Sequence, residues 1–214
     1  RLYSNVIANT ADDTSKNNLN GVAHILRSFI LHRMTDIYGD VPYTAAGYGL
    51  QDAKNWFPAY DSQKDIYSAL VTDIKAGRDK LSASGDALGK QDVIYGGDVS
   101  KWKKFANSLL MIIALRMSNV DATTAQSVFT EAYNSGAFSS NDDNGTIKFL
   151  TGPQGENRNG LSDGYWGNRK YSKDCKLSAT FIDWMIANND PRLMILSGGT
   201  GDPEDPSTWN TNPS

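Results

Sequence analysis

Few residues in this chain could carry catalysis, and their spacing is poor for it. The two histidines, His24 and His32, stand eight residues apart in a stretch of helical periodicity. A zinc-binding pair on a helix sits one turn apart, so each histidine reads as a surface or core-edge residue. The run NDDNG, Asn141 to Gly145, has the composition of a calcium loop without its spacing or closing Glu, and reads as a solvated turn. Asp202, Glu204 and Asp205 could supply an acid for glycoside hydrolysis. No partner acid can be placed, and a plain acidic loop is the favoured reading. Cys175 is the single cysteine, which excludes an internal disulfide and a multi-cysteine zinc site. With no histidine near it in sequence, it is poorly supported as a nucleophile. P-loop, dinucleotide and nucleophile-elbow patterns are absent, and the glycines of GGTGDP, Gly198 to Pro203, lack the required spacing.

What remains is a set of aromatic residues among polar loop residues: Trp56, Tyr60, Tyr165, Trp166, Tyr171 and Trp209. A flat ring can stack on the apolar face of a sugar while neighbouring amides and charges reach its hydroxyls. Trp166, Tyr165 and Trp56 are the stacking candidates, with Asn168 and Arg169 as polar neighbours. The alternative is that these rings plug gaps between loops and helices.

The elements that would position these rings are helices. Asn18 to Tyr38 carries Leu19, Val22, Leu26, Phe29, Ile30 and Met34 at helical spacing, with Gly39 to cap its end and Pro42 to stop continuation. Asp61 to Leu81 is a second helix, with Ser62 and Asp65 spaced as a capping box and Ile66, Tyr67, Leu70, Ile74 and Leu81 as its stripe. Ser100 to Val120 is the third. Trp102, Phe105, Ala106, Leu109, Leu110, Ile113 and Met117 give it a broad face, which Ile112 and Leu115 widen into burial on two sides. Lys101, Lys103 and Lys104 crowd its first turn against the helix dipole, so packing or a partner must set their positions. Asp121 to Ser135 is the fourth, with Ala125, Val128, Phe129, Ala132 and Tyr133 as its stripe and Gly136 as its cap. Residues 139–214 are loop-rich, with a short strand expected at TIKFL, Thr146 to Leu150, and a helix near 178–189 ended by Pro191. The pairing of first with second and third with fourth helix, about 18–81 and 98–136, is the logic of helical repeats.

The totals set the outer bounds. A chain of 214 residues has ample material for a core. Its net charge of −3, with cations spread over both halves, argues against nucleic acid as the main partner. No apolar run approaches the ~18 residues of a spanning helix. The chain begins at Arg1 rather than Met, and is expected to be a piece of a longer protein.

Four stretches, in order, carry a resemblance to a family. They are RMTDIYGDVPYTAA (Arg33 to Ala46), YDSQKDIYSALVTDI (Tyr60 to Ile74), DVIYGGDVSKWKKFANSLLMIIALRM (Asp92 to Met117) and NNDPRL (Asn188 to Leu193). With them the chain resembles the SusD/RagB family of outer-membrane lipoproteins. The resemblance implies an all-α, tetratricopeptide-like scaffold with long irregular loop insertions, of which residues 1–214 form part of a single domain. It also implies a cell-surface protein that captures a glycan, or in some members a peptide, and passes it to a SusC-like TonB-dependent transporter. It implies no enzyme, cofactor, metal or nucleic-acid partner, and a membrane lipid anchor on a cysteine that would precede this chain. A glycan-degrading enzyme is the weaker alternative. The four motifs are scaffold or transporter-facing positions, so the resemblance assigns no ligand-contact residue.

Overall fold

The computed structural model describes residues 2–49, 56–149 and 177–197. Among them helix is the regular element throughout, and extended pairing is limited to one isolated antiparallel bridge between Val41 and Asp61. The helices are α1 (Leu2–Thr10), α2 (Asn17–Tyr38), α3 (Gln63–Lys80), α4 (Val99–Met117), α5 (Ala122–Asn134), α6 (Ala179–Ala187) and α7 (Arg192–Ser197). Residues 1–148 form one compact unit and 149–214 a second.

Three helix starts in the first unit are written locally. Ser62 caps α3 by accepting from the Asp65 N–H at 3.2 Å, Asp98 caps α4 at Ser100 and Lys101, and Asp121 caps α5 at Thr124. Asp65 does not complete a capping box; its carboxylate accepts from the Ser62 hydroxyl instead. Gly39 closes α2 at φ 74°, donating to the Thr35 carbonyl at 2.8 Å. The left-handed residue there must be glycine or carry strain.

Long-range capping then locks α2 to α3. Asp40, two residues past the end of α2, accepts from the Gln63 N–H at the start of α3. Asp86, beyond the end of α3, accepts from the Asn18 and Leu19 N–H groups at the start of α2. Each helix exit therefore supplies the negative charge that the other helix's N-terminus attracts. Asn18 adds a reciprocal clasp, donating to the Ser82 and Asp86 carbonyls and accepting from the Ser82 N–H. Asp40 thus caps the neighbouring helix rather than its own.

Between these ends α2 and α3 run antiparallel and touch at Gly21 and Gly77. A Cβ added to Gly77 would lie 2.7 Å from the Gly21 carbonyl oxygen and 2.8 Å from His24 Cβ. One at Gly21 would lie 2.5 Å from the Gly77 oxygen. The backbones can approach this closely only because both residues lack side chains. The α2–α3 pair stacks on the α4–α5 pair through α3 and α4, as expected of a tetratricopeptide-like scaffold. The shared core holds Ile25, Leu70, Ile74, Trp102, Leu110 and Ile113. Polar ties reinforce it. Glu131 of α5 pairs with Lys75 and Arg78 of α3, Arg78 donates to Asn107 of α4, and buried Asn107 donates to the Ser135 and Gly136 carbonyls.

Several expected faces are corrected. Leu19, Phe29, Ile30 and Met34 remain substantially exposed, and α2 buries Asn20, Gly21, Ile25, Ser28, His32 and Thr35. The close crossing with α3, and α1 lying on the other side, select small and polar residues for contact and push the large ones to the flanks. Asn20, for example, donates to the Ile7 carbonyl and Thr10 hydroxyl of α1. Ile112, Leu115 and Tyr133 are also exposed, so α4 is buried on one broad face. Thr146 to Phe149 form no strand, having no pairing partner among the described residues. NDDNG is exposed to solvent at every residue but Asp143. Asp143 is buried, accepts from the Ser139 and Ser140 N–H groups, and pairs with Lys104 at 2.8 Å. Lys104 and these N–H groups hold its carboxyl well below the usual range. Lys101 reaches the same turn through the Asp142 carbonyl, which explains two of the three lysines crowding the start of α4.

In the second unit Ser178 caps α6, and Met185, Leu193 and Met194 form a small core. Asn189 takes a left-handed φ of 49°, and Asp190 then accepts from the Arg192 side chain and N–H. That contact lowers the Asp190 carboxyl to about 2.

Gly77→Ala places a methyl group against backbone and is expected to cost about 2–3 kcal/mol, as overpacking of a close contact does. Urea unfolding would show it as a lower midpoint at unchanged slope. A loss below roughly 0.5 kcal/mol, the range of ordinary surface changes, would mean that the two helices separate freely.

Candidate functional site

The loop from Asp40 to Asp61 presents a group of exposed aromatic rings in the first unit, and its base is fastened on three sides. Asp61 accepts from the Tyr43 and Thr44 N–H groups at 2.8 and 2.9 Å and from the Thr44 hydroxyl. These bonds, led by that from Thr44, hold its carboxyl below the ordinary value. Arg27 of α2 donates to the Tyr43 carbonyl at 2.6 Å and lies 4.5 Å from the Tyr43 ring centre. The buried Tyr43 hydroxyl donates to Asp73 of α3, and burial followed by that carboxylate pushes the phenol well above its usual value. Ser4 of α1 donates to the Ala46 carbonyl.

On this base stand three open rings. Trp56 is 65% exposed, Phe57 90% and Tyr60 73%. The Trp56 indole N–H donates to the Gly49 carbonyl at 2.7 Å, which fixes the ring's edge and leaves its faces free. Beside the loop base runs a largely apolar groove of about 350 Å³, lined by Tyr3, Ile30, Leu31, Met34, Pro42 and Pro58. A rigid exposed ring next to an apolar groove can hold a ligand with a flat apolar face and polar edges. Trp56 is a candidate already from sequence. Phe57 is not, although the run NWFPAY, Asn55 to Tyr60, packs three rings around a proline that stops helix formation. The other candidates, Tyr165, Trp166, Asn168 and Arg169, lie outside the described residues, as do Tyr171, Cys175, Asp202, Glu204, Asp205 and Trp209.

The titratable groups near this loop are closed on one another. His24 Nδ1 lies 3.8 Å from Asp73, which also takes Arg27 and the Tyr43 hydroxyl. Two turns along α2, His32 Nε2 lies 3.3 Å from Asp36, which also takes Arg116 of α4 and the Tyr67 hydroxyl of α3. The two clusters repeat one pattern: a histidine, an aspartate, a tyrosine and an arginine, joining α2 to its neighbours. Burial lowers both histidine pKa values, against the smaller opposing pull of each aspartate. These groups hold α2 to its neighbours. Among the described residues no group of three His, Cys, Asp or Glu side chains could hold a metal ion.

Comparison with known proteins then places the chain. The family model for SusD-like proteins, described as starch-binding and associating with the outer membrane, matches residues 3–208. Solved structures match as well. A chitin-binding protein is 37% identical over 90% of this chain and 39% of its own, with a TM-score of 0.76. A SusD homolog from Bacteroides uniformis is 31% identical over 89% of this chain and 39% of its own, with a TM-score of 0.75. A chitin-binding SusD homolog from Flavobacterium johnsoniae is 26% identical over 77% of this chain and 35% of its own, with a TM-score of 0.59. The chain thus spans well under half the length of these relatives. No curated protein matches the sequence.

The histidine clusters carry a pH dependence whose sign follows from their lowered pKa values. Stability is fully present above the unfolded histidine value of 6.5 and is lost as pH falls below it, because the unfolded chain takes up protons that the folded histidines refuse. Urea midpoints at about pH 7 and about pH 5.5 are expected to fall toward acid in the natural protein and to fall less in the His24→Gln, His32→Gln double variant. Equal slopes in the two proteins would assign the acid sensitivity to other groups.

Proposed function

The chain belongs to the SusD-like family, and on that premise we propose that it is part of a cell-surface glycan-binding protein. In this reading the protein captures oligosaccharide and passes it to a SusC-like TonB-dependent transporter in the outer membrane. It is a binding protein without turnover, held at the membrane by a lipid anchor that lies outside this chain. The observation that carries the ligand assignment is the Trp56 ring, fixed by its indole N–H and open to solvent on a loop fastened to three helices. Phe57 and Tyr60 extend the same surface, and Tyr165, Trp166, Asn168 and Arg169 are proposed to contribute further contacts.

Chitin-derived oligosaccharides are the first ligands to test. Two of the similar structures are chitin-binding proteins, and the family model names starch. The apolar groove at the loop base suits a sugar bearing a methyl-containing substituent better than one bearing hydroxyls alone.

Calorimetric titration of the full-length protein with chito- and malto-oligosaccharides tests the reading. Binding is expected, with Trp56→Ala weakening it roughly two- to tenfold, the equivalent of the ~0.5–1.5 kcal/mol of one stacking ring. Binding of peptides in place of any glycan would transfer the protein to the peptide-capturing branch of the family. Absence of binding to either class, with and without the transporter, would remove the proposal.

A further inference from the structure

We propose that Asn144 is a site of spontaneous modification, at which the side-chain amide is lost through a cyclic imide formed with the backbone nitrogen of Gly145. The chain has three Asn-Gly pairs: 20–21, 144–145 and 159–160. The third lies outside the described residues, but the first two sit in opposite environments. Asparagine is among the thermally labile residues. It is most so before glycine, where no side chain hinders approach of the next backbone nitrogen to the amide carbon.

The step is an intramolecular acyl transfer. The Gly145 amide nitrogen, after losing its proton, attacks Asn144 Cγ. A carbon–nitrogen bond forms, the bond to the side-chain nitrogen breaks, and ammonia leaves carrying the proton. Water then opens the imide at either carbonyl, giving aspartate or isoaspartate. No oxidant, metal or enzyme is needed.

Three observations place this chemistry at Asn144. Its side chain is exposed, and its amide makes a single contact, at the 3.5 Å limit, to Asn141. The Gly145 N–H has no acceptor among the described residues, so the attacking nitrogen is free of any ladder. Asn144 follows a single 3-10 turn, with φ −60° and ψ 129°, and the rotation of ψ that brings nitrogen to Cγ opposes no helix. Asn20 is the reverse. It is buried within α2 and its amide donates to the Ile7 carbonyl and the Thr10 hydroxyl.

The fold also crowds any side chain placed at Gly145. A Cβ there would lie 3.0 Å from the Tyr95 hydroxyl oxygen and 3.3 Å from Ile94 Cγ2. That hydroxyl is committed to the Asp143 carbonyl at 2.9 Å. The product alters this anchor: aspartate sets a third carboxylate beside Asp142 and Asp143, and isoaspartate lengthens the backbone by one methylene just before the Tyr95 contact.

The test is to age the full-length protein at mildly alkaline pH and map each asparagine by peptide mass spectrometry. The Asn144 peptide is expected to gain the mass of NH2-to-OH exchange, to split into aspartate and isoaspartate forms, and to convert at least about tenfold faster than Asn20, which must wait for α2 to open. The rate should rise with pH, and Asn144→Gln should abolish the change while leaving the fold intact by circular dichroism. Conversion of Asn144 no faster than that of Asn20 would overturn the proposal. So would an unchanged Asn144 under conditions that convert the synthetic peptide of residues 141–148.

Discussion

The contact between Gly21 and Gly77 constrains everything else in the first unit. Two helices can cross with backbone against backbone only where neither carries a side chain. That crossing brings the exit of each helix level with the entry of the other, and so lets Asp40 and Asp86 act as caps at a distance. It also brings His24 and Arg27 within reach of Asp73, which in turn receives the Tyr43 hydroxyl and pins the base of the aromatic loop. The surface proposed to meet ligand is therefore positioned by a contact on the opposite side of α2 from its open flank.

Polar groups give the scaffold its specificity. The faces α2 turns inward are poor in large apolar side chains, so much of the attachment of α2 to α1, α3 and α4 runs through Asn18, Asn20, Arg27, His32 and Asp36. Buried polar networks of this kind contribute modestly to net stability but penalise misalignment strongly, because a shift leaves donors and carboxylates unpaired. α4 follows the other strategy. It buries Trp102, Leu109, Leu110, Ile113 and Met117 on one face, with the Trp102 indole N–H satisfied by Asp92.

The contrast explains what could be read from sequence. The limits of α2, α3, α4 and α5 were legible to within a few residues, since Gly39 and Ser62 are local signals and the apolar stripes of α4 and α5 are regular; the Asp98 cap of α4 was not singled out. The apolar face of α4 was legible for the same reason: periodicity reports burial where packing is apolar. The inward face of α2 was not. Its apolar periodicity points to the flank that Phe29, Ile30 and Met34 occupy, while close approach selects Gly21 and Ser28. α1 and α7 are nine and six residues long and escaped notice, as short helices do when neighbours supply their stability. At the candidate site Trp56 was visible as an aromatic residue in a loop, whereas the groove beside it is assembled from α1, α2 and two prolines distant in sequence.

The fastening of residues 40–61 at both ends has a consequence for how such a protein can diversify. The Val41–Asp61 bridge and the Asp40–Gln63 bond close this segment at its root, next to the α2–α3 pair. With the root fixed, extending the intervening chain adds little closure entropy, about 0.6 kcal/mol for each doubling of its length. The segment is thus an interchangeable cassette: its tip can be lengthened, shortened or recomposed while the paired helices below keep their register.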